Sequence, residues 1–237
     1  MSKLFFFRHG QASLGTTNYD VLSKKGIQQS QLLGGYLLTE NITFDEIFVG
    51  PLERQKNTFK VVQERYTAKG IALPSPTIID GLKEHNGMIT MKTALPELIK
   101  TDPYLIALEK STKNDPKRKR QNAMLGFQYF LGEWAEGNIK VKGMPTWKQF
   151  RTEAKEGLDQ ILNATEKGKT IGIFSSGGTI SSITAECLGL TKEKAVAELN
   201  FSIRNTSFST FLYTHNKFNL LSFNELPHLK KDMITFV

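Results

Sequence analysis

The feature that most constrains this chain is a repeated order: a short apolar run, a polar loop, then a segment with helical spacing. Lys3–Phe7 leads through such a loop to a helix opening at Ser23, with Leu32, Leu33, Tyr36 and Leu37 at helical intervals. Glu46–Gly50 is a second strand, passing through Pro51 into a helix that carries Phe59, Val62 and Tyr66 before Gly70. Thr77–Ile79 is a third, short strand. The order returns with a helix over Trp147–Leu162, a strand at Thr170–Phe174, a turn at Ser175-Ser176-Gly177-Gly178 and a helix from Thr179 to Leu188. Ser207–Thr214 and Phe218–Asn224 read as a hairpin across His215-Asn216-Lys217. The expected fold is α/β, a three-layer α/β/α sandwich on a mostly parallel sheet with one antiparallel strand. Between about Glu84 and Gly143 strand signals fade. That stretch reads as a largely helical cap insertion within a single domain over 1–237.

Composition agrees with a packed domain. A chain of 237 residues that is 39% hydrophobic is too apolar for disorder and long enough to bury a core without disulfides or a structural metal. Cys187 is the single cysteine, so no internal bridge can form, and a reducing compartment is expected. Phe5–Phe7 after one lysine imitates the start of a secretion signal, but Arg8 and His9 stop the run. No stretch approaches the roughly 20 apolar residues of a membrane span. A soluble cytoplasmic protein with no membrane partner is the expectation.

The net charge is 31 − 23 = +8. The segment Lys110–Arg120 supplies +5 of it, six basic residues against Asp115. Such a run is ordinarily a solvated face, and no nucleic-acid-binding signature accompanies it, so no specific nucleic acid is expected.

Chemistry-bearing residues fall where α/β sheets bind ligands, in the loops leaving the carboxyl ends of strands. Arg8-His9-Gly10 follows the first strand, Arg54 the second, Glu84 the third and Ser176 the Thr170 strand. Two guanidiniums offer forked donors for a phosphoryl group, an imidazole can be a nucleophile, and a carboxyl can protonate a leaving oxygen. Other motifs fail. Gly168-Lys169-Thr170 precedes a strand and lacks the upstream glycine of a phosphate-binding P-loop, with Asn163 in its place. Ser176 lacks the glycine of a hydrolase nucleophile elbow, since Phe174 stands two before it. His9, His85, His215 and His228 are dispersed without zinc-ligand spacing.

With these residues in view, the chain resembles the histidine phosphatase superfamily, the phosphoglycerate mutase-like proteins, over nearly its whole length. FFFRHGQASLG with YDVLSKKGIQQSQLLGGYL is similar to the family's first strand, Arg-His-Gly signature and first helix. FDEIFVGPLERQKNT is similar to the segment of the second arginine, GLKEHNG to that of the acidic proton donor, TIGIFSSGGTI to the late strand and glycine turn, and NTSFSTFLY with NLLSFNELPHL to the closing strands. The resemblance implies a phosphomonoesterase working through a phosphohistidine on a small phosphorylated metabolite, with no cofactor and no metal. It assigns catalysis to His9 and Glu84 and phosphate binding to Arg8, Arg54, Ser176 and Gly177, with Gln11 and Asn18 in the phosphate loop. His85 competes with Glu84 for the acid's role. A homodimer is left open.

One departure stands out. The family usually carries a second histidine in a Ser-His-Gly-Gly run, and here Ser176 stands in its place. A hydroxyl keeps a donor for phosphoryl oxygens but brings no charge. Three other readings stay open: a mutase that returns the phosphoryl group to a second hydroxyl, a phosphate-binding protein without catalysis, and a serine hydrolase using Ser176 and His228.

Overall fold

The computed structural model describes residues 1–13, 20–214 and 217–236. Six strands form one sheet: β1 (Ser2–Arg8), β2 (Glu46–Val49), β3 (Thr77–Ile78), β4 (Thr170–Ser175), β5 (Phe208–Thr214) and β6 (Lys217–Glu225), in spatial order β3-β2-β4-β1-β5-β6. The first four in that order are mutually parallel. β5 runs antiparallel to both β1 and β6, so one strand opposes the rest, as the sequence predicts. Of the expected link, 215–216 lies outside the described residues.

Helices α1 (Lys24–Thr39), α2 (Glu53–Thr67), α3 (Gly87–Thr101), α4 (Pro103–Asn114), α5 (Lys119–Ala135), α6 (Trp147–Ala164), α7 (Gly177–Leu188) and α8 (Glu193–Ser202) complete the described elements, with three short 3-10 turns. The period-2 geometry of β1 explains the three layers. Phe5 and Phe7 point to one face and pack with Leu33 and Leu37 of α1 and Phe59, Val62 and Tyr66 of α2. Leu4 and Phe6 point to the other and pack with Leu158 and Ile161 of α6 and Ile180 and Ile183 of α7. Both faces are covered, which is why the strands read as continuous apolar runs instead of alternating ones. Phe6 and Phe7 are fully buried, and truncating either to alanine would cost about 3–5 kcal/mol.

Ser23 caps α1, its hydroxyl accepting from the Gly26 amide at 3.0 Å, so the predicted helix start holds. Two expectations are corrected. Pro51 does not start α2, which begins at Glu53 with Leu52 as its cap, because Pro51 and Leu52 still turn the chain out of β2. The stretch Ser175–Gly178 is not a turn before a helix at Thr179. Ser175 ends β4, Ser176 caps α7, and Gly177 and Gly178 are already helical. A bare glycine pair is needed there for space: a Cβ on Gly177 would lie 2.5 Å from Asn200 Oδ1, and one on Gly178 would overlap Glu84. Between 87 and 135 three helices run without a strand, and Phe130, Leu131 and Trp134 of α5 join Trp147, Phe150 and Val196 in a third core cluster. The basic stretch at the α4–α5 connection is exposed for most of its length.

Candidate active site

Parallel pairing of β3, β2, β4 and β1 brings four loops to one sheet edge. The register opposes Arg8 to Ser175, and the His9 amide donates to the Ser175 carbonyl at 3.0 Å, so His9 and Ser176 leave neighbouring strands side by side. The start of α2 delivers Arg54 and Gln55 to the same edge, and Lys83, Glu84 and His85 arrive after β3.

His9 is 3% exposed. Its Nδ1 lies 2.7 Å from the Gly10 carbonyl oxygen, which can only accept, so the proton resides on Nδ1. The Nε of Arg54 donates to His9 Nε2 at 3.1 Å, which assigns the lone pair to Nε2. Burial, then the guanidiniums of Arg54 and Arg8, hold the imidazole well below its ordinary protonation range, against the opposing pull of the Gly10 bond. A neutral ring with its lone pair among cations is a nucleophile suited to an anionic electrophile. Thr206 and Asn205 hold the His9 carbonyl, through an amide at 3.3 Å and a side-chain Nδ2 at 3.2 Å. Thr206 does so at φ 58°, a left-handed backbone that a β-branched residue rarely takes.

Arg8 is 8% exposed and donates from Nη1 to the Ile203 carbonyl. Arg54 is 6% exposed, and its Nη1 pairs with Asp20 Oδ1 at 2.6 Å while Asp20 Oδ2 accepts from the Glu53 amide at 2.9 Å. Asp20 thus bridges Arg54 and the first turn of α2. The Thr58 hydroxyl accepts from the Gly10 amide at 2.9 Å and donates to the Arg54 carbonyl at 2.7 Å, tying the His9 loop to α2.

Glu84 sits on the start of α7. Both its oxygens accept from the Gly178 amide, at 3.1 and 3.3 Å, and Oε1 also accepts from the His85 amide at 3.0 Å. A carboxylate there complements the positive end of the helix dipole. His85 is enclosed by Trp134, Trp147 and Phe150, with ring centroids 5.4–6.0 Å away. Its Nδ1 accepts from the Gly87 amide at 3.1 Å, and its Nε2 lies 3.6 Å from Glu84 Oε1 and 3.3 Å from Asn200 Nδ2. Burial lowers its protonation range, while Glu84 opposes that shift.

Ser176 is fully buried and its Oγ accepts from Gln55 Nε2 at 2.8 Å. Gly177 packs beside Arg8, a Cβ there lying 3.5 Å from Arg8 Nε. The structure thus gathers Arg8, His9, Arg54, Glu84, Ser176 and Gly177 at one edge. Gln11 is tied to α1, its amide donating to Gln29 and its side-chain oxygen accepting from Ser23. Asn18 lies outside the described residues. Sequence reading misses Asp20, Gln55 and Asn200, because each acts through partners distant in the chain. Only the adjacency of Gln55 to Arg54 could have drawn notice. Among the described residues no three His, Cys, Asp or Glu side chains converge to hold a metal ion, and no helix is long and apolar enough to cross a membrane.

Solved structures share this architecture. The chain is similar to YhfR of Bacillus stearothermophilus, at 19% identity and a TM-score of 0.66, with 96% of this chain and 99% of that one covered. It is similar to phosphoserine phosphatase of Entamoeba histolytica, at 22% and 0.60, covering 97% and 100%. It is similar also to the alpha-ribazole phosphatase of Shigella flexneri, at 15% and 0.58, covering 94% and 96%. No curated protein matches the chain significantly in sequence. The sequence pattern of the histidine phosphatase superfamily (branch 1) matches residues 4–125 and 107–226. With the Arg8-His9-Gly10 loop and its partners at the carboxyl edge of a sheet of this topology, the chain belongs to that superfamily.

Proposed function

We propose that the protein is a phosphomonoesterase that forms a phosphohistidine on a small phosphorylated metabolite. The observation that carries this reading is the His9 tautomer: Nδ1–H anchored on Gly10, and the Nε2 lone pair facing the Arg54 guanidinium. Arg54 turns its Nε from the Nε2 lone pair to an incoming phosphoryl oxygen, Nε2 then attacks phosphorus, the P–O bond to the alcohol breaks, and Glu84 gives its proton to the departing oxygen. Arg8, Arg54 and Ser176 hold the phosphoryl oxygens. Glu84, now ionised, takes a proton from water as the water oxygen displaces His9 from phosphorus. For this Glu84 must turn from the Gly178 amide, which then becomes available to an anion. Helices α3–α5 act as the cap that selects the alcohol portion. The structural neighbours named as phosphatases, including a mycobacterial glucosyl-3-phosphoglycerate phosphatase, carry small-metabolite substrates in their names and support this substrate class.

The test is trapping with a labelled phosphomonoester. Label on His9 that survives alkali and is erased by acid supports the reading, as does loss of turnover in His9→Ala with the fold retained. Label on Ser176 overturns it in favour of a serine nucleophile, and tight phosphate binding without any release of phosphate from esters leaves a binding protein.

A further inference from the structure

We infer that Gln55 is a positioning residue that fixes Ser176 as a hydrogen-bond donor toward the bound phosphoryl group. The inference rests on the phosphate-site reading above and adds to it a residue acting through Ser176.

The orientation of the Gln55 amide is settled by its partners on both sides. Its Oε1 lies 3.1 Å from the Leu52 backbone amide, which can only donate. Its other end lies 2.8 Å from the Leu82 carbonyl, which can only accept. Oxygen must therefore face Leu52 and nitrogen must face Leu82, so the assignment of the two amide ends is forced. Nε2 has two hydrogens. One goes to the Leu82 carbonyl and the other to Ser176 Oγ, at 2.8 Å. Leu82 O also accepts from the Ser175 hydroxyl at 2.8 Å, which fills its second lone pair.

The consequence falls on Ser176. Its oxygen must accept from Gln55, so its own proton must be given to something else. Among the described residues that proton has no acceptor: the bond from Gln55 is the whole of its side-chain hydrogen bonding, and Ser176 makes no side-chain bond to the start of α7 that it caps. Ser176 is 0% exposed. A buried donor without an acceptor is uncommon in native proteins and calls for an explanation. The explanation is beside it, since His9 leaves the neighbouring strand at the same level and the Arg8 side chain borders Gly177. The missing acceptor is a phosphoryl oxygen, which reaches Ser176 once Glu84 has turned from the Gly178 amide beside it.

Gln55 is itself held rigidly. It is fully buried, and Gly50 leaves room for it, because a Cβ at residue 50 would overlap its Oε1. A hydroxyl left to rotate would divide its time between donor and acceptor roles, whereas Gln55 removes that choice before the anion arrives.

The experiment is a double-mutant cycle of Gln55→Met and Ser176→Ala, read by calorimetric binding of inorganic phosphate, with thermal melting as a check on folding. Gln55→Met is expected to weaken phosphate binding about fivefold or more in the parent and less than twofold where Ser176 is already alanine. Equal weakening in both backgrounds would show that Gln55 acts only on the fold and would overturn the inference alone. If the parent binds no phosphate, the phosphate-site reading falls, and the inference with it. Should Gln55→Met not fold, Gln55→Leu replaces it: it also removes the amide bond to Ser176 without adding charge, so the same background-dependent loss is expected and its absence has the same meaning.

Discussion

The Nε of Arg54 donates to Nε2 of His9 across 3.1 Å, so the guanidinium covers the lone pair that the proposed attack on phosphorus would use. Its Nη1 is meanwhile held by Asp20 at 2.6 Å, which fixes the plane of the guanidinium. Lysine cannot reproduce two separated donors in one plane. Arg54→Lys is therefore expected to lower kcat/KM for a phosphomonoester by about 100-fold, or roughly 2.7 kcal/mol of transition-state stabilisation. Steady-state kinetics check this, with the melting temperature as control. Removal of any one lysine from the exposed 110–120 stretch should change kcat/KM by less than twofold, and the opposite ranking would move the anion site to that stretch.

His228 sets a pH limit on stability. Burial pushes its protonation range from 6.5 down to about 4, and its Nε2 lies 3.0 Å from the Thr206 hydroxyl. The unfolded chain binds a proton at this residue below about pH 6.5, whereas the folded protein does not until about pH 4. The unfolded state thus holds more protons in that window, and stability falls as pH falls through it. The contribution is up to about 3 kcal/mol, present in full above pH 6.5 and gone near pH 4. His228→Gln should flatten this dependence in denaturant melts taken between pH 4 and 7. An unchanged slope would mean that other groups, with His9 and His85 first among them, carry the acid sensitivity.

Much of this is legible in the order of the amino acids. Both faces of β1 are buried, so Lys3–Phe7 reads as a buried strand, and parallel pairing then makes the carboxyl edge the place to look for chemistry. Arg8 ends β1 and His9 follows it, Ser176 follows β4, and Arg54 and Glu84 lie in the segments leaving β2 and β3, and that local signal is enough to group them. Gln55 has no such signal. Its bond to Ser176 spans 121 positions and exists only because α2 and β4 meet. The start of α7 is hidden for a related reason: two glycines ordinarily mark a turn, but here the space of their missing side chains is taken by Asn200 and Glu84 from other elements. Helix α8 leaves no signal in the sequence because it buries Val196 and Ala197 alone, too few to form a periodic stripe.

Glu84 can be tested through the leaving group. If it protonates the departing oxygen, its loss matters in proportion to how poorly that oxygen leaves. Glu84→Gln keeps an oxygen for the Gly178 amide, so the start of α7 need not change. The expected fall is about 10²–10⁴-fold for an alkyl phosphate and under tenfold for p-nitrophenyl phosphate, whose phenolate departs without a proton. Equal falls for both esters would assign Glu84 to structure and return attention to His85.

The last prediction concerns the space around Ser176. The Gln55 amide lies 2.8 Å from Ser176 Oγ, and both residues are completely buried, so no room is left for a ring. Ser176→His alone should therefore overpack the site, at a cost of about 1–3 kcal/mol in stability. It should also weaken phosphate binding, because the ring must displace either Gln55 or the anion. Gln55→Ala alone loses the hydrogen bonds to Leu52, Leu82 and Ser176 and is destabilising for its own reason. Combined, the two changes exchange one polar group for another in the same volume, and the imidazole regains a donor for the phosphoryl oxygens. The double variant should then lose clearly less stability than the sum of the singles and bind inorganic phosphate more tightly than Ser176→His. Denaturant unfolding and calorimetry on the four proteins decide the matter. Strict additivity would show that residues 55 and 176 do not share the space, and Ser176→His as stable as the parent would show that the serine site has room to spare.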